Sequence, residues 1–273
     1  MLLKGPNKDA DIKSFQVHSH FEYNANEKCM KEFFAHKPDD LYCIILLRTG
    51  ILRINGCTMS LDGVFKETHK KIPCIACMPG SHLSMFDCQL KGDTTNHSDT
   101  AGILSINANV NVKRSVFAHF KCGGLMIAAV PQNKLFIDHN EILSCDTAGI
   151  YIQGRASKPV ISNNKIKFCK ATTICTNLDV DANIYNNQMS LNQQGIRIMN
   201  NKSRVIDNIV DKSHEDGIVV IGDDKSTKCT PFLWRNKIRA CGANGIFVSG
   251  EQCDPDIRGN IILQCRKSGI KLT

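Results

Sequence analysis

The chain has 273 residues, of which 42% are apolar, and it carries a net charge of +8. This composition excludes an intrinsically disordered protein, and the length is sufficient for a sizeable core in one elongated domain. The positive charge is spread along the chain and favours encounters with acidic glycans, nucleic acid or acidic protein surfaces. Because no nucleic-acid-binding motif accompanies it, we expect no nucleic-acid partner.

The N-terminal segment, residues 1–41, precedes the repeated part of the chain and contains one predicted helix. Between Glu27 and His36, apolar residues recur at helical spacing, at Cys29, Met30, Phe33 and Phe34. An apolar strand from Tyr42 to Leu47 follows. We expect the helix to cap the repeats of residues 42–273, because a solenoid must cover its exposed core and strand edges.

A short phrase recurs throughout the second part, as in Ile257, Asn260 and Gly269 with Ile270. The asparagine position of this phrase is filled in turn by Asn55, Cys88, Ser115, Asn140, Asn164, Asn187, Asn208, Asn236 and Asn260. The steps between them are 33, 27, 25, 24, 23, 21, 28 and 24 residues, a period that marks a solenoid. Isoleucine and valine, rather than leucine, alternate at period two, and no helix fits between repeats. This pattern disfavours a leucine-rich repeat and predicts the coils of a parallel β-helix.

The repeated asparagine and glycine have structural interpretations that require no ligand. Asparagines stacked at one bend of each coil satisfy buried polar groups that otherwise cost about 1–3 kcal/mol each. Asparagine also tolerates the left-handed backbone conformation that we expect at this bend. The glycines predict either a bend with positive φ or a close backbone approach. We therefore exclude both residues from the catalytic candidates.

The placement of the 14 cysteines argues against a disulfide framework. Four of them lie five residues after the repeated asparagine position and predict a ladder of small buried thiols: Cys145, Cys169, Cys241 and Cys265. The N-terminus has no signal-like apolar core, and no run of residues is apolar enough to cross a membrane. We therefore expect a reducing, cytoplasmic compartment and no membrane partner. Cys74 and Cys77 form a lone CxxC, which predicts no metal site, and nothing indicates a cofactor.

The predicted helix, the turn from Lys37 to Asp40 and the apolar strand after it resemble the entry to a pectin-lyase-like right-handed β-helix. Residues 148–152 and 158–166 resemble coils of F-box β-helix proteins and of the Shc SH2-domain-binding-protein family. The resemblance implies an all-β fold, a single-stranded right-handed parallel β-helix with about nine coils of 21–33 residues and a short N-terminal capping helix. It does not specify a function, because lyases, hydrolases, epimerases and adaptors share this architecture.

An enzymatic interpretation depends on carboxylates, which hydrolases of this fold use in pairs. Asp179 and Asp181, and Asp223 and Asp224 two coils later, faintly resemble the aspartate motifs of polygalacturonases. The Gly-His-Gly partner expected downstream is absent, and both stretches fit solvated loops. A polysaccharide lyase or glycoside hydrolase is therefore the alternative. It predicts at least two of these carboxylates within ~10 Å on one exposed face.

Alternation within the Gly-Ile strands assigns one row of residues to the outer face of the solenoid. The row comprises Leu104, Met126, Tyr151, Cys175, Arg197, Val219, Phe247 and Lys271. Its apolar character has two open interpretations. In the first, the row is not a free surface: the N-terminal segment or an oligomeric partner covers it, or the assignment of inside and outside is reversed. In the second, the row is a recognition face. In that case Met126, Tyr151 and Phe247 provide contact surface and Arg197 pairs with an acid.

The sequence thus predicts a cytoplasmic, non-catalytic binding or scaffold module for a protein or glycan partner. The binding residues that we predict are Met126, Tyr151, Arg197 and Phe247. A purely structural spacer is a further alternative.

Overall fold

The computed structural model of the protein describes residues 43–61, 71–93, 99–154, 157–222 and 227–273. Within these ranges the chain is an all-β, right-handed solenoid of parallel strands with no helix. The predicted fold class is therefore confirmed. The expected capping helix and the N-terminal segment 1–41 lie outside the described residues.

The strands of the first five coils are β1 Ile45–Leu47, β2 Gly50–Asn55, β3 Thr58–Ser60, β4 Lys71–Cys77, β5 Ser81–Phe86, β6 Gln89–Lys91, β7 Asp99–Ile106, β8 Asn109–Lys113, β9 Val116–Ala118, β10 Gly123–Ala129, β11 Leu135–Asp138, β12 Glu141–Leu143, β13 Ala148–Gly154, β14 Val160–Ser162 and β15 Lys165–Lys167. The later strands are β16 Thr172–Asn177, β17 Asn183–Tyr185, β18 Gln188–Ser190, β19 Gln194–Met199, β20 Arg204–Ile206, β21 Ile209–Asp211, β22 Ile218–Ile221, β23 Phe232–Trp234, β24 Lys237–Arg239, β25 Ile246–Ser249, β26 Asp256–Arg258, β27 Ile261–Leu263 and β28 Ile270–Leu272.

Each coil contributes one strand to each of three parallel sheets. The first sheet has ten strands, from β1 and β4 to β28, and contains the Gly-Ile strands. The second sheet has nine strands, from β2 to β26, and precedes the asparagine bend. The third sheet also has nine strands, from β3 to β27, and follows that bend. Inward-facing residues of the three sheets form one continuous apolar core.

The asparagine ladder is confirmed from Asn140 to Asn260. At each step the backbone N–H and the side-chain amide of one asparagine both donate to Oδ1 of the next, with donor–acceptor distances of 2.9–3.0 Å. The same amide nitrogen donates to a carbonyl of the preceding coil, as Asn164 does to Ile137 at 2.9 Å. Ser115 continues the ladder towards the N-terminus: its N–H donates to Oδ1 of Asn140 at 3.0 Å, and its Oγ accepts from the N–H of Cys88 at 3.2 Å.

The first position of the ladder was predicted wrongly. Strand pairing places Asn55 opposite Phe86, so the counterpart of Cys88 is Cys57 and not Asn55. Both thiols donate to the carbonyl two residues upstream, Cys57 to Asn55 at 3.5 Å and Cys88 to Phe86 at 3.0 Å. In this coil Asn55 and Cys57 are two residues apart, and the sequence alone favours Asn55 for the ladder because asparagine is the usual residue there.

We predict the left-handed conformation at the asparagine itself, and this prediction is wrong. The residue before the asparagine adopts that conformation instead. That residue has φ between 49° and 58° in eight successive coils, at Asp87, Arg114, His139, Asn163, Asn186, Asp207, Arg235 and Gly259. The turn is therefore made one position earlier, which leaves the asparagine side chain pointing into the coil. Burial confirms this, because Asn164, Asn187, Asn208 and Asn236 are all 0% exposed.

The glycine of the Gly-Ile strands serves close packing rather than positive φ. A Cβ on Gly149 would lie 2.8 Å from the carbonyl oxygen of Thr173 and 2.9 Å from Cγ2 of Ile166. Real Cβ atoms do not approach neighbours this closely, so only glycine allows the first and third sheets to meet here.

The predicted thiol ladder is confirmed at the bend after the third sheet. Cys145, Cys169 and Cys241 are buried and Cys265 is half-buried, and all four are free thiols. A hydrogen bond with the Cys169 thiol, together with burial, raises the pKa of Cys145 well above its usual range. Cys145 is therefore a poorly reactive packing residue.

Candidate binding surface

The predicted outer row of the first sheet is a single row in the structure. Strand pairing joins Met126 to Tyr151, Cys175 to Arg197 and Val219 to Phe247 as direct neighbours in adjacent coils. Met126 and Tyr151 lie side by side, whereas Arg197 and Phe247 are each separated from the preceding member by one residue.

The two halves of this row differ in accessibility. Met126 is 0% and Tyr151 5% exposed, whereas Arg197 and Phe247 are partly exposed. The Tyr151 hydroxyl donates to Oε1 of Gln153 at 3.1 Å, and Nζ of Lys271 lies 5.8 Å from the centre of the Phe247 ring. Alternation identified the correct side of the strand but not its accessibility. A binding role for these four residues stays a prediction.

Two of the four candidate catalytic carboxylates are described. Asp179 and Asp181 lie in one bend between β16 and β17, and their backbone N–H groups donate to Asn200 and Ser157 at 2.9 Å and 2.8 Å. Asp223 and Asp224 lie outside the described residues. The requirement of the enzymatic interpretation, that at least two of the four carboxylates lie within ~10 Å on one exposed face, therefore stays a prediction.

Elsewhere, two carboxylates have shifted pKa values, in the direction opposite to that of a general acid. A hydrogen bond from Arg114, whose Nε lies 2.8 Å from Oδ1, lowers the pKa of Asp87. At Asp138, desolvation raises the pKa, but hydrogen bonds from Asn163, Ser162 and His139 outweigh it and the net pKa is lowered. Both groups are held ionised, as expected of surface ion pairs and polar bends.

The described ranges contain no group of three or more His, Cys, Asp or Glu side chains arranged to hold a metal ion. In the same ranges, no helix has the length and apolar character needed to cross a membrane.

The outer face of the second sheet carries aromatic residues that the sequence-based assignment of sites missed. Its outward positions lie four and two residues before the asparagine position, and five of them are aromatic: Phe86, Phe136, Tyr185, Phe232 and Trp234. Phe136 is 42% exposed. The third sheet instead presents many polar and charged residues, such as Lys165, Gln188 and Lys237.

Five residues of three adjacent coils form a continuous surface that we call the Arg204 patch: Tyr185, Arg204, Ile206, Phe232 and Trp234. In the first row Arg204 lies directly beside Phe232, and in the second Ile206 lies between Tyr185 and Trp234. Arg204 is exposed and the other four are partly exposed. Three aromatic residues and one arginine thus share this face of the second sheet.

Two carboxylates next to the patch, Asp207 and Asp256, are already paired. Asp207 binds Arg235 through two hydrogen bonds of 2.6 Å and 2.8 Å, and Asp256 binds Arg258 at 2.6 Å. The Arg235 guanidinium also lies 3.8 Å from the centre of the Trp234 ring, a cation–π contact. These contacts hold Trp234 in place, and neither Asp207 nor Asp256 pairs with Arg204.

The signal for this surface was present in the sequence. Once the asparagine position is known, the residues four and two positions before it must face outward, because the residue between them faces the core. Reading those two positions through all coils gives the aromatic residues and Arg204.

A profile described as the right-handed β-helix region matches residues 42–208 and 194–273. The chain belongs to this right-handed β-helix family. No curated protein sequence matches it.

Several solved structures resemble this β-helix at the level of the fold. A double mutant of the periplasmic alginate epimerase AlgG shares 10% identity over 94% of each chain, with a TM-score of 0.42. Polygalacturonase from Erwinia carotovora ssp. carotovora shares 9% identity over 98% of this chain and 100% of its own, with a TM-score of 0.36. The catalytic unit of a GH87 α-1,3-glucanase from Streptomyces thermodiastaticus strain HF3-3 has a TM-score of 0.24. Similarities this distant carry no argument about activity.

Proposed function

We propose that this β-helix is a non-catalytic binding module that recognises a protein or glycan partner on an outer face of the solenoid. The observation that supports this most is the Arg204 patch, where three aromatic side chains and an arginine share a flat, solvent-accessible sheet. Tryptophan, tyrosine and arginine dominate the energetics of known binding surfaces. The site is also built on rigid strands, so binding requires little ordering of the protein.

The finer resemblance to F-box β-helix and Shc SH2-domain-binding proteins is part of this proposal, since adaptor function fits a binding face. We also propose a cytoplasmic location, which agrees with the 13 free cysteines of the described residues. Partners among nucleic acids and membranes are not part of the proposal.

The alternative, a carbohydrate-active enzyme, depends on Asp179, Asp181, Asp223 and Asp224. One feature favours keeping it. The Oδ1 atom of Asp181 is buried and has no hydrogen-bond partner. Asparagine substitution at Asp179 and Asp181 tests this alternative, because it should abolish depolymerisation of acidic polysaccharides if these carboxylates are catalytic.

The binding proposal is tested with the purified chain on a glycan array and in selection from a random-peptide display library. The comparison is a variant in which Tyr185, Phe232 and Trp234 are all serine. We expect ligands that bind the native chain and not the variant. A variant with Gln188 and Lys237 of the third sheet changed to serine is the matched control, and it should bind like the native chain. If the native chain captures neither glycans nor peptides, the proposed function is wrong.

A further inference from the structure

Building on the proposed function, we infer that the partner is an acidic polypeptide segment that docks on the Arg204 patch and places a carboxylate on Arg204. The inference depends on three features of the patch: its charge, its dimensions and the orientation of its rings.

The charge of the patch is positive and unused. Arg204 is exposed and has no carboxylate within salt-bridge distance among the described residues. Asp256, two coils away in the same row, is held by Arg258, and Asp207 is held by Arg235. A ligand carboxylate is therefore the group that complements Arg204, and the guanidinium can bind it through two parallel hydrogen bonds.

The dimensions of the patch suit a short segment. Neighbouring strands lie ~4.8 Å apart, so three coils span ~10 Å, and the two outward residues of each strand lie ~7 Å apart. A surface of this size accommodates a few side chains of a peptide. Phe232 and Ile206 lie beside Arg204, so an acidic residue next to an apolar one matches the patch.

The orientation of the rings favours a polypeptide over an acidic glycan. A sugar binds an aromatic side chain by stacking on an open ring face. One face of Trp234 is covered by the Arg235 guanidinium at 3.8 Å. Phe232 is tilted by 38° from Trp234, with ring centres 6.0 Å apart, so the two rings form no common stacking plane. Apolar side chains need no open ring face, because hydrophobic burial is non-directional.

Trp234 makes the inference directly measurable, because it is the only tryptophan of the chain. Its fluorescence emission reports on the occupancy of this patch without a label. Binding elsewhere on the solenoid should leave the emission unchanged.

The experiment begins with peptides from a random display library selected on the native chain and titrated in solution against Trp234 emission. We expect the selected peptides to be rich in Asp and Glu, to change the emission and to bind more weakly at higher salt. Arg204→Glu should weaken binding at least about tenfold, and Arg204→Ala should weaken it less. Lys237→Glu, a charge reversal on the third sheet of the next coil, should have no effect. Unchanged thermal unfolding confirms that each variant is folded.

Several results would overturn the inference. Selected peptides without acidic residues, no selected peptide at all, or equal loss in Arg204→Glu and Lys237→Glu would each reject it. Oligogalacturonides that change the Trp234 emission and compete with the peptides would identify an acidic glycan as the occupant instead. Glycan binding that depends on the aromatic residues would still support the proposed function, so the two failures can be distinguished.

Discussion

Asn187→Ala removes one member of the asparagine ladder from the middle of the solenoid. The Asn187 side chain accepts from the backbone N–H and the amide of Asn164 and donates to the carbonyls of Ile161 and Tyr185 and to Asn208, all at 2.9–3.1 Å. Alanine deprives the Asn164 backbone N–H of its Oδ1 acceptor and the Ile161 carbonyl of its amide donor. Each buried group left unpaired costs about 1–3 kcal/mol, so we expect a loss of about 2–5 kcal/mol.

Urea unfolding followed by far-UV circular dichroism and by Trp234 emission measures this loss. The matched control is Gln188→Ala, one residue further along, which removes an exposed side chain and should change the free energy of unfolding by less than about 0.5 kcal/mol. Asn260→Ala should cost less than Asn187→Ala, because Asn260 is partly exposed and water can replace it. If Asn187→Ala and Gln188→Ala have equal effects, the stabilising role of the ladder is refuted.

Three further predictions follow from other contacts. Gly149→Ala places a Cβ 2.8 Å from the Thr173 carbonyl oxygen and should cost about 1–3 kcal/mol in the same unfolding assay; an unchanged midpoint would contradict it. Arg114→Ala should raise the pKa of Asp87 from its lowered value back to its ordinary value in an NMR titration. The contribution of this pair is present above that pH and is lost as the pH falls through the lowered pKa of Asp87; an unaltered titration would refute the pairing. Burial raises the pKa of the Cys74 thiol, so iodoacetamide at pH ~8 should modify it only after unfolding, as mass spectrometry can show.

The fold could be predicted from the sequence because each coil repeats the same steric problem. The buried asparagine of a coil needs hydrogen-bond partners at the same bend of the adjacent coils. The glycine of a coil permits close contact between the first and third sheets. These requirements act on every coil, so the repeat remains recognisable where Ser115 stands at the asparagine position of one coil and Thr173 at the glycine position of another. The repeat therefore identified the architecture, the ladder and the row containing Met126 and Tyr151.

The errors arose where a local preference was read without the register. Asn55 was chosen because asparagine fits the ladder, but strand pairing places Cys57 there. The left-handed conformation was assigned to the asparagine because that residue type tolerates it, yet Arg114 and His139 adopt it at the preceding position. Tertiary packing decides such cases, since it overrides the modest cost of φ > 0 in these residues.

Accessibility is the property that alternation cannot provide. Met126 faces outward and is nevertheless 0% exposed, whereas Phe136 faces outward on the second sheet and is 42% exposed. The two residues are indistinguishable by sequence pattern, because both lie within unbroken apolar runs, Leu125-Met126-Ile127 and Leu135-Phe136-Ile137. Only the packing of the whole chain separates them.

A parallel β-helix also constrains how a binding surface can be encoded. Inward positions, ladder positions and glycine positions are fixed by the coil, so specificity must reside in outward residues that are free to vary between coils. In the row of Arg204 these residues change from Asn183 to Arg204 to Phe232 over three coils without any change in backbone geometry. A substitution at Arg204 should therefore alter binding without altering stability, whereas a substitution at Asn187 should do the reverse. Variants of the Arg204 patch should therefore change peptide binding but not urea unfolding, and variants of the asparagine ladder should change urea unfolding but not peptide binding.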